Sequence, residues 1–225
     1  MVAGMEASAG EPPREALLLF LRFPEPGRVK TRLIPRLGAV GAAEVYRRLV
    51  EDAAGKARAL ARPGLLCAAF AEPPERLEEV RRWLGPLFLT VAQAEGDLGR
   101  RLEEAFTWAF KRGARRAVAI GTDCPGLTVS LLLEAFQNLA LNDAVLGPAL
   151  DGGYYLIGLS RSIPEAFETI PWSTSSVLEA TLGRLAAQGA SFRLLEALRD
   201  LDTPEDYEAL YPLWRPLLEV NQPGN

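Results

Sequence analysis

Short apolar runs alternate with longer stretches of helical periodicity along most of this chain, and few folds accommodate that alternation. Residues 16–23 (ALLLFLRF), 64–70 (GLLCAAF), 87–91 and 116–120 have strand length and nearly continuous hydrophobicity. Between them, residues 40–60 bring Val45, Leu49 and Ala53 onto one helical face, and residues 74–84 form a charged amphipathic segment opening on Pro74. Residues 98–111 carry Leu102, Phe106 and Phe110 at i, i+4 and i+8, a stripe suited to a core. Further strands are expected at 144–146, at 154–159 and near Phe192, with helices at 130–141 behind Thr128, at 176–188 and from Pro204. Strands apolar on both sides and separated by helices predict one α/β domain, a mostly parallel sheet flanked by helices on both faces. We place it at residues 16–215, between a disordered N-terminal tail (1–15) and a C-terminal tail (216–225).

In open sheets of this kind, ligands bind beyond the carboxyl ends of the strands, where the strand order switches. The run 117–120 is followed there by "GTDCPGL", residues 121–127. Asp and Pro are ordinary turn residues, so a plain turn explains Asp123; a carboxylate presented to a ligand explains it as well. Two other loops carry charge in similar places. After the first strand comes "FPEPGRVKTRL", where Arg28, Lys30 and Arg32 follow Gly27; Lys30 is one of only three lysines in the chain. Guanidinium and ammonium groups beside a glycine turn suit a phosphate, although the spacing is not that of a Walker loop. In "RDLDTPEDYEAL", residues 199–210, Thr203 and Asp206 form a capping box for a helix beginning at Pro204. That leaves Asp200 and Asp202 flanking Leu201 and pointing the same way in an extended segment. In "GPALDGGYYLIGL", Asp151-Gly152-Gly153 suits either a hairpin turn or a close approach by a ligand.

Histidine is absent from all 225 residues. A Ser-His-Asp triad, a His-paired cysteine nucleophile and a histidine-held zinc are therefore excluded. A metal would need oxygen ligands, which selects a hard cation, Mg²⁺ or Mn²⁺. A net charge of -4 gives no general attraction to nucleic acid. No apolar stretch reaches the roughly 18 residues of a membrane span, and residues 1–15 lack a signal peptide's pattern. Cys67 and Cys124 have no metal-binding spacing, so a reducing cytoplasm is expected. Cys124 has no base or resolving cysteine near it in sequence and is read as a small packing residue. The hydroxyls of "WSTSS", residues 172–176, are read as helix capping by Thr174 or Ser175.

Together, "PGRVKTRL", "LGRRLEEAF", "GTDCPGL", "GPALDGGYYLIGL" and "DLDTPED" resemble, in this order, a bacterial family of candidate glycosyltransferases known as selenodomain-associated transferases. The resemblance runs from about Leu17 to Tyr207. It implies the GT-A, or nucleotide-diphospho-sugar transferase, fold, shared with phospholactate and molybdenum-cofactor guanylyltransferases. It further implies that Asp123 and Asp202 are the metal carboxylates, with Asp200 the alternative to Asp202. Lys30 and Arg32 would hold donor phosphates, with Gly27 allowing close backbone approach. Gln93, Gly96 and Gly99 fall where relatives recognise base or ribose, and Asp151 and Gly152 where sugar or acceptor is expected; were the reaction glycosyl transfer, Asp151 would be the candidate base for the acceptor hydroxyl. Many members of the wider fold carry Asp-x-Asp at the metal strand, whereas this chain has Asp123-Cys124-Pro125. The expected function is a metal-dependent transfer from a nucleotide or sugar-nucleotide donor to a small-molecule acceptor. Glycosyl transfer is one form of it, and nucleotidyl transfer with loss of pyrophosphate the other. A nucleotide-binding module without turnover is a third reading, disfavoured because a pure binder has no need of two metal carboxylates.

Overall fold

The computed structural model describes residues 14–219, with side chains through residue 212. Both expected tails lie largely outside these residues. Seven strands form one sheet: β1 (Glu15–Arg22), β2 (Leu65–Glu72), β3 (Phe88–Ala92), β4 (Arg116–Ile120), β5 (Ala144–Pro148), β6 (Tyr154–Leu159) and β7 (Phe192–Leu194). Their spatial order is β3-β2-β1-β4-β6-β5-β7, and every pairing is parallel except those of β6, which runs antiparallel to both neighbours. The helices are α1 (Ile34–Leu60), α2 (Leu77–Leu84), α3 (Leu98–Lys111), α4 (Val129–Asn138), α5 (Val177–Ala187) and α6 (Pro204–Glu219). The last continues past residue 215, where a tail was expected to begin.

The pleat of β1 divides the core in two. Leu17, Leu19 and Leu21 face one layer, built with Leu49 and Ala53 of α1, Val80 of α2, Leu132 of α4 and Leu210 of α6. Ala16 and Leu18 face the other, built with Leu102 and Phe106 of α3 and Leu185 of α5. Side chains of a strand alternate between the faces, so a run apolar at every position is what a sheet covered on both faces requires. The Leu102 and Phe106 stripe is core, as its spacing predicted.

Local signals hold in most places. Helix α1 begins six residues before the expected start, but Gly38, at φ 71° and ψ 166°, kinks it, so the regular helix matches the apolar pattern from residue 40. Thr128 caps α4 by accepting a 3.2 Å bond from the Leu131 N–H. The capping box at α6 forms in both directions: Thr203 Oγ1 accepts from the Asp206 N–H at 3.2 Å, and Asp206 Oδ2 accepts from the Thr203 N–H at 3.0 Å. At α5 the expectation holds only in part. Ser176 occupies the N-cap with no side-chain bond, and the Thr174 hydroxyl accepts from the Ser176 N–H at 3.3 Å while donating back to the Pro171 carbonyl at 2.7 Å. No helix among the described residues is long and apolar enough to cross a membrane.

The chain runs from β1 outward through β2 and β3, then returns to place β4 on the opposite side of β1. The strand order therefore switches between β1 and β4. The Lys30 loop leaves the end of β1 and the Asp123 loop leaves the end of β4, so both open on one crevice.

Candidate active site

A cavity of about 590 Å³ lies at this switch point, lined among others by Lys30, Arg32, Tyr46, Asp123, Asp200 and Asp202. Val29 and Leu33, 4% and 0% exposed, pin the first loop to the core, and the charged residues between and beside them are left to the cavity. Lys30 itself adopts the left-handed conformation, φ 46° and ψ 44°, which costs a non-glycine residue about 1–2 kcal/mol. Such strain is concentrated at functional sites.

The result of that backbone turn is specific. The Lys30 side chain is 4% exposed, and its ammonium lies 2.6 Å from Asp123 Oδ1 and 2.6 Å from Asp202 Oδ1. Burial works to lower the pKa of Lys30, but Asp123 and Asp202 outweigh it and raise the pKa above its ordinary value. The lysine stays charged at any physiological pH. Two carboxylates 79 positions apart in sequence thus meet on one cation.

Leu201 explains how they meet. It is fully buried, and its N–H donates to the Asp123 carbonyl at 2.8 Å. One residue thereby hooks the 199–206 segment onto the end of β4 and drives its own side chain into the core. Asp200 and Asp202, on either side of it, line the cavity. The Lys56 ammonium donates to the Pro125 carbonyl at 3.0 Å and fixes the Asp123 loop from below.

Asp200 is the most perturbed carboxylate here. Burial, then the neighbouring charges of Asp123, Asp151 and Asp202, push its pKa up to about 7, and its Oδ1 is buried without a hydrogen-bond partner. The folded protein favours the neutral form of this group, while the unfolded chain titrates it near 3.9. Its ionisation therefore removes stability as pH rises from about 4 to 7. In metal-free buffer, Asp200→Asn is expected to melt higher than wild type by several degrees at pH 8, with the advantage shrinking at pH 5. An equal difference at both pH values would contradict this account of Asp200.

Tyr46 was not singled out by the sequence. It is 6% exposed and lines the cavity; its hydroxyl accepts from the Arg22 N–H at 2.8 Å and lies 3.2 Å from the Thr122 hydroxyl. It ties the end of β1 to the residue before Asp123. Burial, and then the charge of Asp123, push its phenol up to about 12. The signal was present: a tyrosine on the inward, otherwise apolar face of α1.

The other expected site residues divide. Arg32 lines the cavity and makes no ion pair with any described residue. Gln93 lines it too, but its amide is occupied: Nε2 donates to the Leu21 and Phe70 carbonyls at 3.0 Å each, and Oε1 accepts from Arg101 at 3.1 Å. Arg101 also donates to Glu72 at 2.6 Å and to the Gly96 carbonyl at 3.1 Å. Gln93 is therefore a fixed wall with no free amide for a base, and Gly96 contributes a carbonyl to that wall. Gly99 does not line the cavity: it is buried, and a Cβ there would fall 2.7 Å from the Phe167 carbonyl and 2.9 Å from Trp172 Nε1. Gly152, at φ +92°, is likewise a packing glycine, since a Cβ would fall 2.1 Å from the Ser175 carbonyl oxygen. Gly27 makes the turn before Arg28 at φ +83° and leaves open space around it.

Asp151 sits in a hairpin turn between β5 and β6, its Oδ1 accepting from the Gly153 N–H at 2.9 Å. It lines a second cavity of about 290 Å³ with Arg32, Arg199, Asp200, Asp202 and Asp206. Three of these, Arg32, Asp200 and Asp202, also line the larger cavity, so the two spaces adjoin. Cys124 is buried, its Sγ 3.7 Å from the Arg199 carbonyl, and burial, then Asp200, push its thiol up to about 12. It packs and does not react.

Among the described residues, no three acidic, cysteine or histidine side chains form a metal cage by themselves. The fit to a hard cation rests on other features. Asp123 and Asp202 already converge on one positive charge, the Lys30 ammonium. A third carboxylate beside them carries an orphaned oxygen. The donor set is oxygen only, as Mg²⁺ or Mn²⁺ requires.

Comparison with known proteins agrees with this architecture. Residues 56–174 match the family described as "Uncharacterized protein conserved in bacteria" (DUF2064). A solved structure of a candidate nucleotide-diphospho-sugar transferase from Desulfovibrio desulfuricans G20 is 34% identical, covers 93% of this chain and 95% of its own, and superposes with a TM-score of 0.85. The chain belongs to the DUF2064 family. More distant structures share the fold. One is a CMP-2-keto-3-deoxy-manno-octonic acid synthetase in complex with CTP, at 14% identity, 90% and 99% coverage and TM-score 0.58. Another is a nucleotidyl transferase from Methanothermobacter (Mth528), at 14% identity, 92% and 99% coverage and TM-score 0.58. No curated protein matches the chain.

Proposed function

We propose that this DUF2064 protein is a metal-dependent transferase that moves a sugar from a nucleotide-diphospho-sugar to a small acceptor bearing a hydroxyl. The observation carrying this reading is the buried Lys30 ammonium held between Asp123 and Asp202 at the sheet's switch point. Lys30 and Arg32 would bind the donor's diphosphate as preorganised positive charge. Asp123 and Asp202 would hold Mg²⁺ or Mn²⁺, which when bound neutralises charge on the departing diphosphate. Phe20, Leu98 and Leu102, on the apolar part of the wall, would keep the nucleoside from water, with the Gln93–Arg101–Glu72 network holding that wall rigid. The name of the 34%-identical relative points the same way. The free, buried state of Cys67 and Cys124 suits a reducing cytoplasm.

The second cavity suits the acceptor. Asp151, Asp200, Asp202 and Asp206 line it against only Arg32 and Arg199, and Arg199 is neutralised by Asp206 at 3.0 Å. An uncharged hydroxyl compound meets less repulsion there than a phosphate, and Asp151 keeps Oδ2 to accept its proton. Nucleotidyl transfer from a nucleoside triphosphate is a second reading, favoured by the lone carboxylate of Asp123-Cys124-Pro125 and by nucleotidyltransferases of the same fold.

A thermal-shift screen with Mg²⁺ decides between them. A ligand at 100 times its Kd adds ~2.7 kcal/mol, about 5–10 °C for a domain of this size. UDP- or GDP-sugars are expected to give that shift without a comparable effect of triphosphates. Triphosphates alone would establish the second reading, and no shift from either class would overturn both.

A further inference from the structure

Resting on the proposed use of a metal and a phosphate donor, we infer that Lys30 is an internal counter-ion that keeps the divalent cation out until phosphates arrive, so that the protein takes the cation together with its donor and binds it poorly alone. Asp123 Oδ1 and Asp202 Oδ1 are both already held by one ammonium at 2.6 Å. A dication bridging these oxygens must displace that ammonium. A dication held by the outer oxygens would be repelled by the ammonium across a single carboxylate.

Displacement alone is unfavourable because the Lys30 side chain is 4% exposed and cannot reach water without leaving its place. A desolvated ammonium needs an anionic partner. Phosphate oxygens entering the cavity supply one on the side lined by Arg32, and Lys30 can pass from carboxylates to phosphate while the cation takes the carboxylates. Binding of phosphate and cation is then mutually reinforcing, and by linkage each raises the affinity of the other by the same factor. The left-handed backbone at Lys30 places the ammonium at this exchange point.

The test uses Mn²⁺ titrated by electron paramagnetic resonance, with inorganic pyrophosphate as the phosphate probe. Wild type is expected to bind Mn²⁺ alone at least tenfold more weakly than in saturating pyrophosphate. Lys30→Met should bind Mn²⁺ alone at least tenfold more tightly than wild type and lose most of the pyrophosphate enhancement. Lys30→Gln provides the same comparison should Lys30→Met fail to fold, with circular dichroism as the check. Equal Mn²⁺ affinity in wild type and a folded Lys30 variant, or no enhancement by pyrophosphate in wild type, would overturn the inference. Failure of wild type and variants alike to bind Mn²⁺, with or without pyrophosphate, would instead remove the metal from the proposed function and the inference with it.

Discussion

Asp123→Asn is expected to lower donor-dependent turnover by about a hundred- to a thousandfold, the range seen when one preorganised electrostatic contact to a transition state is lost, while the fold survives. The side chain is 45% exposed, so no core packing is lost. The Asp123 carbonyl that receives the Leu201 N–H is backbone and remains. Two effects on stability oppose each other. Lys30 loses one of its two carboxylates, whereas Asp200 loses the charged neighbour that contributes most, after burial, to its raised pKa. A change in melting temperature of only a few degrees is therefore expected, against a near-complete loss of turnover measured as released nucleoside diphosphate or pyrophosphate. The same variant separates a catalyst from a non-catalytic nucleotide binder. Turnover within threefold of wild type would take Asp123 out of the chemistry.

The sheet was legible because β1, β2 and β4 are apolar at every position apart from the charged residues at their ends, a pattern that burial on both faces demands. The antiparallel direction of β6 was not, because Asp151-Gly152-Gly153 serves a hairpin and a ligand loop equally well and only the pairing with β4 and β5 decides. The family resemblance brought Asp123 and Asp202 together on a metal and gave Lys30 to the donor phosphates; the meeting of Lys30 with both carboxylates was not expected. Local physics could not supply it, since it depends on a hydrogen bond between residues 123 and 201. Glycines were the weakest guide. Gly99 and Gly152 are glycines because Phe167, Trp172 and Ser175 leave no room for a Cβ, and those neighbours are distant in sequence. Gln93 carried the right polarity in the right region, but its bonds to Leu21, Phe70 and Arg101 are tertiary. Tyr46 was hidden inside an apolar stripe because it packs in the core, and its hydroxyl finds its partners at Arg22 and Thr122, far away in sequence.

Leu201→Ala is expected to lose about 2–5 kcal/mol of stability, the range for truncating a fully buried leucine, and also to lower turnover at least tenfold. The first loss follows from burial alone. The second follows from where the side chain sits: Leu201 is the only residue between two site carboxylates, and its insertion into the core sets the height at which Asp202 meets Lys30. With the methyl groups removed, the N–H bond to Asp123 is the remaining tether, and a displacement near 1 Å is enough to cost a large factor in rate. Leu210→Ala is the control. Leu210 is 8% exposed and packs in the same core layer from α6, without lining either cavity. It should lower the denaturation midpoint in the same direction but leave turnover close to wild type at a temperature where both variants are folded. Full activity in a destabilised Leu201→Ala protein would mean that Asp202 is held in place without the leucine, by Lys30 and by the Asp206 carboxylate that accepts from the Asp202 N–H at 3.3 Å, and that the hook at residue 201 serves the fold alone.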